Sequence, residues 1–311
     1  MNNSHDLSRL AEMETEDASP EREAATKRST WVSVVVNIGL TISQVVAGIW
    51  SGSQGLIADG VHSLSDLIAD FVVLLAIQHS QKEADADHPY GHQRYENAAS
   101  LVLGGLLLAV GIGMIWSAAH KLQTPESIPT VHIAALWVAL AALAAKEILF
   151  RFMLAVAERV RSSMLVANAW HARSDAASSL VVAIGIGGNL LGFSLLDPIA
   201  ALIVGFMVSR MGWSFTWDAL HDLTDRAATE EQIAGISSDI LATPGVLGLH
   251  ELKTRKTGDM ILADVHLEID GQLTVAEGHA IARQAKLNVM SRHSVLYLMT
   301  HVDPVVPDGA V

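Results

Sequence analysis

Long apolar segments separated by short polar connections fill the chain from Trp31 to Trp217. Each segment has about 20 residues, the length that an α-helix needs to cross roughly 30 Å of hydrocarbon. The pattern therefore predicts an integral membrane α-helical bundle with six transmembrane helices. The predicted spans are about Trp31–Trp50, Leu56–Gln78, Ala98–Ala119, Val131–Val156, Met164–Leu191 and Pro198–Trp217.

The third and fourth spans each carry a further feature. The fourth continues through Lys146 and Glu147, so we expect its last turns to emerge from the bilayer. Small residues, which permit close helix contacts in lipid, recur in the third at Gly104, Gly105, Gly111 and Gly113.

After Asp225 the pattern becomes that of an ordinary globular domain. Apolar and polar residues alternate between Met260 and Ile269, which predicts a strand with one buried face. Thr274 and Glu277 form a capping box, the signature of a helix start. The predicted elements are a helix Glu230–Leu241, strands Val246–Thr254 and Met260–Ile269, a helix Val275–Ser291 and a strand Ser294–Val302. This order predicts a small α+β domain of the ferredoxin-like kind.

These patterns divide the chain into four parts. Residues 1–28 are polar and lack apolar periodicity, which predicts a disordered N-terminal tail. The transmembrane domain is predicted at 29–225, the cytoplasmic domain at 226–305 and a short C-terminal tail at 306–311. Because the first residues lack the basic-then-apolar pattern of a cleavable signal, we expect the first span to act as the membrane anchor.

Basic residues in the short loops predict the orientation, since loops rich in lysine and arginine stay in the cytoplasm. One set of connections carries Lys27, Arg28, Lys82, Arg94, Arg151, Arg159 and Arg161, whereas the opposite set carries only Lys121. Both termini are therefore predicted to be cytoplasmic. We expect a multi-pass protein embedded in the lipid bilayer of the cytoplasmic (inner) membrane.

Composition agrees with a membrane protein and limits its chemistry. Only 17% of the 311 residues are charged, whereas an ordinary soluble domain has about a quarter. The absence of cysteine excludes disulfides and thiolate ligands, so any metal must be held by histidine, carboxylate, water or backbone. The net charge of −13 argues against a nucleic-acid partner and favours cations.

The second and fifth spans each contain a histidine followed four residues later by an aspartate: His62 with Asp66, and His171 with Asp175. On a helix this spacing leaves the two side chains about 40° apart on one face. Two such helices together supply two nitrogens and two oxygens, a complete tetrahedral ligand set for Zn²⁺ that also suits neighbouring divalent transition metals. Further polar residues share these helix faces, namely Asp59 and Asp70 on the second span and Asn168 and Ser179 on the fifth.

The position of these pairs inside apolar spans bears on their role. An ionisable residue in a span is costly unless it faces a partner or a water-filled cavity, which makes it a candidate functional residue. The alternative is a structural polar contact between helices. Because the same pair occurs twice, a metal site is the better interpretation, and a metal site within the membrane indicates transport.

Two further groups of metal-type side chains lie outside the spans. The connection after the second span contains Asp85, His88 and His92, and Gly91 permits a tight bend there. The alternative for this group is a solvated polar loop. The C-terminal domain contains the third group, His250, His266, His279, His301 and Asp303. Any one of these alone is more typical of a surface residue, but five together favour a metal site.

Three stretches resemble the cation diffusion facilitator family of divalent metal transporters. They are Leu56-Ile-Ala-Asp-Gly-Val-His-Ser-Leu-Ser-Asp66, similar to that family's second span, Asp87-His-Pro-Tyr-Gly-His92, similar to its following loop, and Trp170-His-Ala-Arg-Ser-Asp175, similar to its fifth span. The resemblance covers nearly the whole chain after the N-terminal tail. It implies a homodimer of six-span protomers with a cytoplasmic metallochaperone-like domain, which exports cytosolic divalent cations in exchange for protons.

The resemblance also implies roles for individual residues. The implied transport site consists of His62, Asp66, His171 and Asp175, and the implied loop site consists of Asp85, His88 and His92. The implied cytoplasmic site, which can hold two metals with His301 and Asp303 between them, consists of His250, His266, His279, His301 and Asp303. Arg94 and Asp225 occupy the places of a charge pair that links the membrane and cytoplasmic parts across the dimer. Arg94 stands where the best described members have lysine, which keeps the charge and changes its geometry.

Histidine in both pairs matches the zinc-type members of that family. Other members have aspartate in place of the first histidine and handle iron, manganese or cadmium more readily. Nitrogen donors favour Zn²⁺, Co²⁺, Ni²⁺ or Cd²⁺ over Mg²⁺, Ca²⁺ and Mn²⁺. We therefore expect Zn²⁺, or else Co²⁺, Cd²⁺, Ni²⁺ or Fe²⁺, as substrate and regulator, with no organic cofactor and no enzymatic activity. Two other functions stay open: a membrane-anchored metal-responsive scaffold or sensor, and a membrane zinc enzyme, which would need an open coordination position.

Overall fold

The computed structural model describes residues 20–305, except 81, 83, 125–129, 160–162 and 259. Six long helices come first in this part of the chain: α1 Pro20–Ser51, α2 Gln54–Ser80, α3 Arg94–Gln123, α4 Ile133–Arg159, α5 Ser163–Leu190 and α6 Leu196–Leu223. The later elements are α7 Glu230–Leu241, β1 Gly248–Thr257, β2 Met260–Asp270, α8 Val275–Arg292 and β3 Val295–Val305. All the predicted elements are present.

The six long helices coincide with the six predicted spans, and four of them contain segments that are long and apolar enough to cross a membrane. These segments are Trp31–Ser51, Arg94–Gln123, Ile133–Arg159 and Leu196–Leu223. Large apolar side chains lie on the outside, as Val35 and Val46 of α1 show with exposed fractions of 63% and 62%. An extended apolar exterior fits a membrane protein. The remaining helices, α2 and α5, carry the paired histidines and aspartates, and the count of six spans stays a prediction.

The predicted disordered tail is wrong at its end, because α1 begins at Pro20. The helix opens with the sequence Pro20-Glu-Arg-Glu-Ala-Ala. Proline is well tolerated in the first turn, and glutamate, arginine and alanine are strong helix formers. Residues 1–19 of the predicted N-terminal tail and 306–311 of the predicted C-terminal tail lie outside the described residues.

The chain packs as two compact units. The first contains the described residues up to Asp70 together with Leu106–Gly212, and the second contains Phe71–Gly105 together with the described chain from Trp213 onward. Side chains from the helices α2 to α6 form the core of the first unit. The completely buried ones include Leu56 of α2, Val182 and Ile186 of α5, and Val204 and Val208 of α6.

One glycine allows α3 and α6 to approach closely, as the small residues of the third span predict. A Cβ atom at Gly111 would lie 2.6 Å from Ser209 N and 2.9 Å from Gly205 O. Both distances are too short for real contacts, so a side chain at Gly111 would push the two helices apart. At Gly105 and Gly113, a Cβ atom would meet no neighbouring atom of the described chain within 4 Å. The close approach therefore depends on Gly111.

A carboxylate from α6 caps the N-terminus of α2. Asp197 Oδ2 accepts a hydrogen bond from Gln54 N at 2.7 Å, and Asp197 Oδ1 accepts one from Gly55 N at 3.3 Å. Ser53 Oγ donates to the same carboxylate at 2.5 Å. Because the first backbone N–H groups of a helix lack intrahelical acceptors, Asp197 satisfies them and fixes the start of the helix that carries His62.

The C-terminal part of the second unit has the predicted α+β arrangement. Its sheet has the order β1-β2-β3, with β1 antiparallel to β2 and β2 parallel to β3. Both α7 and the Thr274–Glu277 capping box are present as predicted. Helices α7 and α8 pack on one face of the sheet, and the buried side chains there include Ile236, Ile240, Leu267, Val289 and Leu298.

Strand β1 is irregular directly after His250. Its register with β2 shifts between His250 and Lys253, and Glu251 has a φ angle of 49°. A bulge bends the strand and redirects the side chains beside it. A non-glycine residue with positive φ is uncommon and is found preferentially at functional sites. The irregularity thus lies directly after His250, one of the predicted metal ligands.

Candidate metal centres

The structure brings together three of the four residues of the predicted transport site. His62 Nδ1 lies 3.5 Å from Asp66 Oδ2 on α2. Asp175 on α5 adds a third ligand, and the three ligand atoms lie within 4.8 Å of one another. The side chain of His171 lies outside the described residues. One imidazole and two carboxylates at this separation can bind one divalent cation.

Lys146 belongs to the same region, although the pattern of the fourth span predicts only that this part of α4 leads into turns that emerge from the bilayer. Its exposed fraction is 3%, and it lines one cavity with Asp66 and Asp175. The sequence does carry a signal for Lys146, because placing a lysine inside a span is as costly as placing a histidine or an aspartate there.

Of the four polar residues predicted to share the helix faces of the two pairs, Asp59 and Ser179 contact each other. Asp59 is completely buried, and Ser179 Oγ donates a hydrogen bond to its Oδ2 atom at 2.6 Å. The two predicted helix faces therefore do meet at this level. The side chains of Asp70 and Asn168 lie outside the described residues.

The predicted loop site is assembled between α2 and α3. Asp85 Oδ1 accepts a hydrogen bond from His88 N at 2.7 Å, and Asp85 Oδ2 lies 3.4 Å from His92 Nε2. The rings of His88 and His92 have centroids 4.4 Å apart. The chain bends at Gly91, whose φ of 83° agrees with the predicted need for glycine. The three ligand atoms lie within 4.8 Å of one another, which suits one metal ion.

The pKa of Asp85 is lowered, chiefly because the backbone N–H of His88 donates to its carboxylate. The side chains of His88 and His92 act in the same direction. Asp85 thus stays ionised to lower pH than an ordinary aspartate. An ionised carboxylate is the form that binds a cation.

Three histidines of the C-terminal domain form a row across the sheet. His250 on β1 is the register partner of His266 on β2, and His266 is in turn the register partner of His301 on β3. The ring centroids lie 5.0 Å apart in the first pair and 4.6 Å apart in the second. The strand pairing itself therefore aligns three imidazoles.

Asp303 completes this cluster from two residues after His301. Its Oδ2 atom lies 2.9 Å from His266 Nδ1 and 3.0 Å from His250 Nε2, and its Oδ1 atom lies 3.3 Å from His301 Nε2. The hydrogen bond with His266 is the main cause that lowers the pKa of Asp303. The ligand atoms of His250, His266 and Asp303 lie within 4.8 Å of one another, and two nitrogens and one carboxylate suit Zn²⁺ and its neighbours. His301 adjoins this set through its contact with Asp303.

The fifth predicted residue of the cytoplasmic site lies apart from the others. His279 is exposed on α8. In the part of the chain that the structure describes, His279 belongs to no group of three or more metal-type side chains. Its role as a ligand therefore stays a prediction.

Arg94 and Asp225, the predicted charge pair, contact each other within one chain in the second unit, and the link across a dimer stays a prediction. Arg94 Nη2 at the start of α3 donates to Asp225 Oδ1 after the end of α6. Asp225 has a φ of 63°, an uncommon conformation for a residue other than glycine. The pair therefore joins the first turn of α3 to the connection that leads into the C-terminal domain.

Comparison with known proteins identifies the family. A family model of the cation efflux transmembrane domain matches residues 30–224, and a model of the cation efflux protein cytoplasmic domain matches residues 228–305. The chain belongs to the cation diffusion facilitator family. Members of this family are divalent metal transporters, and the two matched regions meet where the sequence pattern changes after Asp225.

Several curated relatives of this facilitator are similar over most of its length. It is 33% identical over 288 residues to metal tolerance protein C1 of Arabidopsis thaliana, covering 88% of this chain and 61% of that protein. It is 30% identical over 279 residues to the manganese efflux system protein MneS of Bacillus subtilis, covering 88% and 94%. It is 30% identical over 252 residues to the magnetosome protein MamB of Magnetospira sp., covering 81% and 86%. The facilitator thus spans less than two thirds of the Arabidopsis protein and nearly all of the Bacillus protein.

A solved structure of the MamM CTD in a nickel form is also similar. It is 23% identical and covers 25% of this chain and 99% of that chain, with a TM-score of 0.24.

Proposed function

We propose that this facilitator exports a divalent transition metal from the cytosol, with Zn²⁺ as its first substrate, in exchange for protons by alternating access. The observation that supports the proposal is the meeting of His62, Asp66 and Asp175, whose ligand atoms lie within 4.8 Å of one another. His171 supplies the fourth ligand, because it precedes Asp175 by the same four residues that separate the pair on α2. Two nitrogens and two oxygens then form a tetrahedral site.

The choice of zinc rests on the two histidines. Imidazole is a softer donor than carboxylate and favours Zn²⁺, Co²⁺, Ni²⁺ and Cd²⁺ over Mn²⁺. The relative MneS is named for manganese efflux, so membership of the family does not by itself decide the metal. Cu²⁺ binds most nitrogen sites more tightly than Zn²⁺, and the tetrahedral geometry is what discriminates against it.

Proton exchange follows from the chemistry of the ligands. Histidine must be neutral and aspartate ionised before they bind a metal, so metal ions and protons compete for the same four side chains. When the site opens to the cytosol, the metal displaces protons. When the site opens to the other side, incoming protons displace the metal. Each metal ion exported is then coupled to proton entry.

The other two clusters have supporting roles in the proposal. The loop site and the cytoplasmic site bind the same metal on the cytosolic side, and metal at the cytoplasmic site draws the domains of two copies together in a homodimer. The transmembrane domain covers residues 29–225 and the cytoplasmic domain 226–305. Both termini face the cytoplasm, and the protein lies in the inner membrane.

The test of the transport site is zinc uptake into proteoliposomes that contain the purified protein. We expect His62→Ala and Asp175→Asn each to reduce the initial rate by about 100-fold or more, since even residues that only support a metal ligand change metal affinity by about 10–100-fold. Matched controls are His120→Ala on α3 and Glu158→Gln on α4, which change exposed residues of the first unit. Undiminished uptake in Asp175→Asn would exclude the assigned site.

Proton coupling is tested in the same vesicles with a pH-sensitive dye in the lumen. We expect zinc uptake to release protons from the lumen, and a proton ionophore together with a clamped membrane potential to abolish accumulation against a zinc gradient. If zinc uptake leaves the luminal pH unchanged, and if the rate of uptake stays the same after the pH gradient is removed, the protein transports zinc without proton exchange. Competition by Co²⁺, Cd²⁺, Ni²⁺, Fe²⁺ and Mn²⁺ then ranks the metals.

A further inference from the structure

One carboxylate next to the transport site collects hydrogen bonds from three other helices. Asp59 lies on α2, three residues before His62, and is completely buried. Its partners are Gln44 Nε2 of α1, Lys146 Nζ of α4 at 3.4 Å, Ser178 Oγ of α5 at 2.8 Å and Ser179 Oγ of α5 at 2.6 Å. Asp59 is therefore a junction of α1, α2, α4 and α5.

Lys146 connects this junction to the transport site. Its Nζ atom lies 3.4 Å from Asp59 Oδ1 and 3.4 Å from the backbone O of Asp175. Lys146 also lines one cavity with Asp66 and Asp175. A buried ammonium thus stands beside the two carboxylates that are assigned to the metal.

The contacts of Asp59 indicate that Lys146 does more than neutralise it. Gln44 and Ser179 already provide neutral donors to the Asp59 carboxylate, and Ser178 shares its single hydroxyl proton between Asp59 and the Asp175 backbone O. The distance from Lys146, by contrast, is long for a charge-assisted hydrogen bond. A buried ammonium is costly to desolvate. A purely structural link between α2 and α4 would be made more cheaply by a neutral side chain. The ammonium has three N–H donors, of which Asp59 and the Asp175 backbone take at most two.

We propose that Lys146 is a fixed internal cation that weakens metal binding at the transport site, and that Asp59 is the positioning residue that holds it there. The inference rests on the proposed transport site. Two ionised ligands, Asp66 and Asp175, balance the charge of one divalent cation, and an ammonium a few ångströms away repels that cation in a medium of low dielectric constant. When the site is empty, the same ammonium offsets part of the charge of the two carboxylates.

A positive charge beside the site helps the metal ion to leave it. A transporter gains nothing from binding its substrate so tightly that the metal cannot leave, and a fixed positive charge lowers the affinity without removing a ligand. Asp59 determines how close the Lys146 ammonium comes to the two metal ligands. With Asp59 ionised, the flexible lysine is held at the edge of the cavity, and without that charge the ammonium is free to move toward Asp66 and Asp175 as a competitor of the metal.

The test is the equilibrium dissociation constant of Zn²⁺ at the transport site of the full chain in lipid nanodiscs, measured with radioactive zinc. The signal of the transport site is the part that Asp175→Asn abolishes, which separates it from zinc at the loop and cytoplasmic clusters. We expect Lys146→Gln to bind zinc about tenfold or more tighter than the wild type, because a repulsive charge is removed. We expect Asp59→Asn to bind it more weakly. The matched control is Ser179→Ala, which removes one donor to Asp59 and no charge, and is expected to leave the constant within about threefold.

The double variant Asp59→Asn/Lys146→Gln keeps the test decisive if Lys146→Gln alone does not fold, because removing one partner of a buried ion pair is far more damaging than neutralising both. It is expected to bind zinc about tenfold or more tighter than Asp59→Asn. In flux measurements, loss of the ammonium should lower KM and kcat together, since zinc enters and then leaves slowly. A purely structural role would lower the rate and leave the dissociation constant unchanged.

Two results would decide against the inference, and a third would decide against the proposed transport site. A dissociation constant that is unchanged or higher in both variants lacking Lys146 overturns the role of the ammonium. Tighter binding in Asp59→Asn overturns the role of Asp59 as the residue that restrains it. If Asp175→Asn abolishes no zinc binding at all, the proposed transport site fails instead, and the two failures are thereby distinguished.

Discussion

His266 and His301 are register partners in the parallel pair of β2 and β3, and their ring centroids lie 4.6 Å apart. The carboxylate of Asp303 contacts both rings, at 2.9 Å from His266 Nδ1 and 3.3 Å from His301 Nε2. The carboxylate therefore holds the two imidazoles close together, within reach of one divalent cation. If the cluster binds metal as proposed, its ligands are already brought together by the contacts of Asp303.

Removal of the Asp303 charge should abolish metal binding at the cytoplasmic site and leave transport intact. We expect Asp303→Asn, which keeps the shape of the side chain, to contain at least one zinc ion fewer per chain, because a neutral amide is a poor ligand compared with a carboxylate. The metal content of the full chain after dialysis against a zinc buffer measures the loss. Asp264→Asn on β2 is the matched control, since Asp264 is exposed and lies outside the three clusters. Equal metal content in Asp303→Asn and the control would show that Asp303 holds no metal.

The order of the elements could be predicted from the sequence, whereas the strand register could not. Period-two alternation in β2 shows which face is buried, but a shift of the pairing by two residues leaves the same face buried. The alignment of His250, His266 and His301 in one row depends on that register. The bulge after His250 adds a further shift that no residue pattern announces.

The candidate transport site, too, could be predicted from the sequence only in part. Helix geometry alone places His62 and Asp66 on one face, so this half of the site follows from the spacing. The approach of Asp175 from α5 depends on packing, and so does the cap that Asp197 places on α2 from 143 residues away in the chain. Lys146 could have been predicted from the sequence, because an ionisable residue inside a span is a candidate functional residue whether it is histidine, aspartate or lysine.

The acid sensitivity of the C-terminal domain should depend on Asp239. Its carboxylate accepts a hydrogen bond from Arg292 Nη1 at 2.7 Å and lies 2.8 Å from His293 Nε2, which ties α7 to the end of α8. The hydrogen bond from Arg292, followed by that from His293, lowers the pKa of Asp239. A carboxyl whose pKa is lowered in the folded state stabilises the domain above its ordinary pKa, and this stabilisation is lost as the pH falls through the lowered value.

We therefore expect Asp239→Asn to increase hydrogen exchange in α7 and α8 at neutral pH and to have a smaller effect as the pH falls. The measurement is hydrogen exchange of the full chain across a pH series, corrected for the intrinsic exchange rate at each pH. Asp264→Asn again serves as control, with exchange close to that of the wild type throughout. A difference between Asp239→Asn and the wild type that stays constant down to acid pH would show that the charge of Asp239 does not contribute.

The capping box of α8 should make a measurable contribution to the stability of the domain. Thr274 Oγ1 accepts a hydrogen bond from Glu277 N at 3.3 Å, and Glu277 Oε2 accepts one from Thr274 N at 2.8 Å. We expect Thr274→Ala to reduce the free energy of unfolding by about 1 kcal/mol, the usual effect of removing such a cap. Hydrogen exchange in the first turns of α8 measures the change. Thr274→Ser keeps the hydroxyl and should restore protection, and equal exchange in the alanine and serine variants would contradict the prediction.

Replacing one nitrogen donor by oxygen should change the preferred metal of the transport site. His62 is 5% exposed and lies 3.5 Å from Asp66, so an aspartate at this position can still reach the metal. We expect His62→Asp to transport Mn²⁺ better relative to Zn²⁺, with the ratio of the two rates shifting by about tenfold, because carboxylate donors favour harder cations than imidazole does. The measurement is uptake of each metal by proteoliposomes from equimolar mixtures, with His120→Asp on the exposed side of α3 as control. Loss of both activities would show that the extra negative charge disrupts the site, and an unchanged ratio would show that His62 does not select the metal.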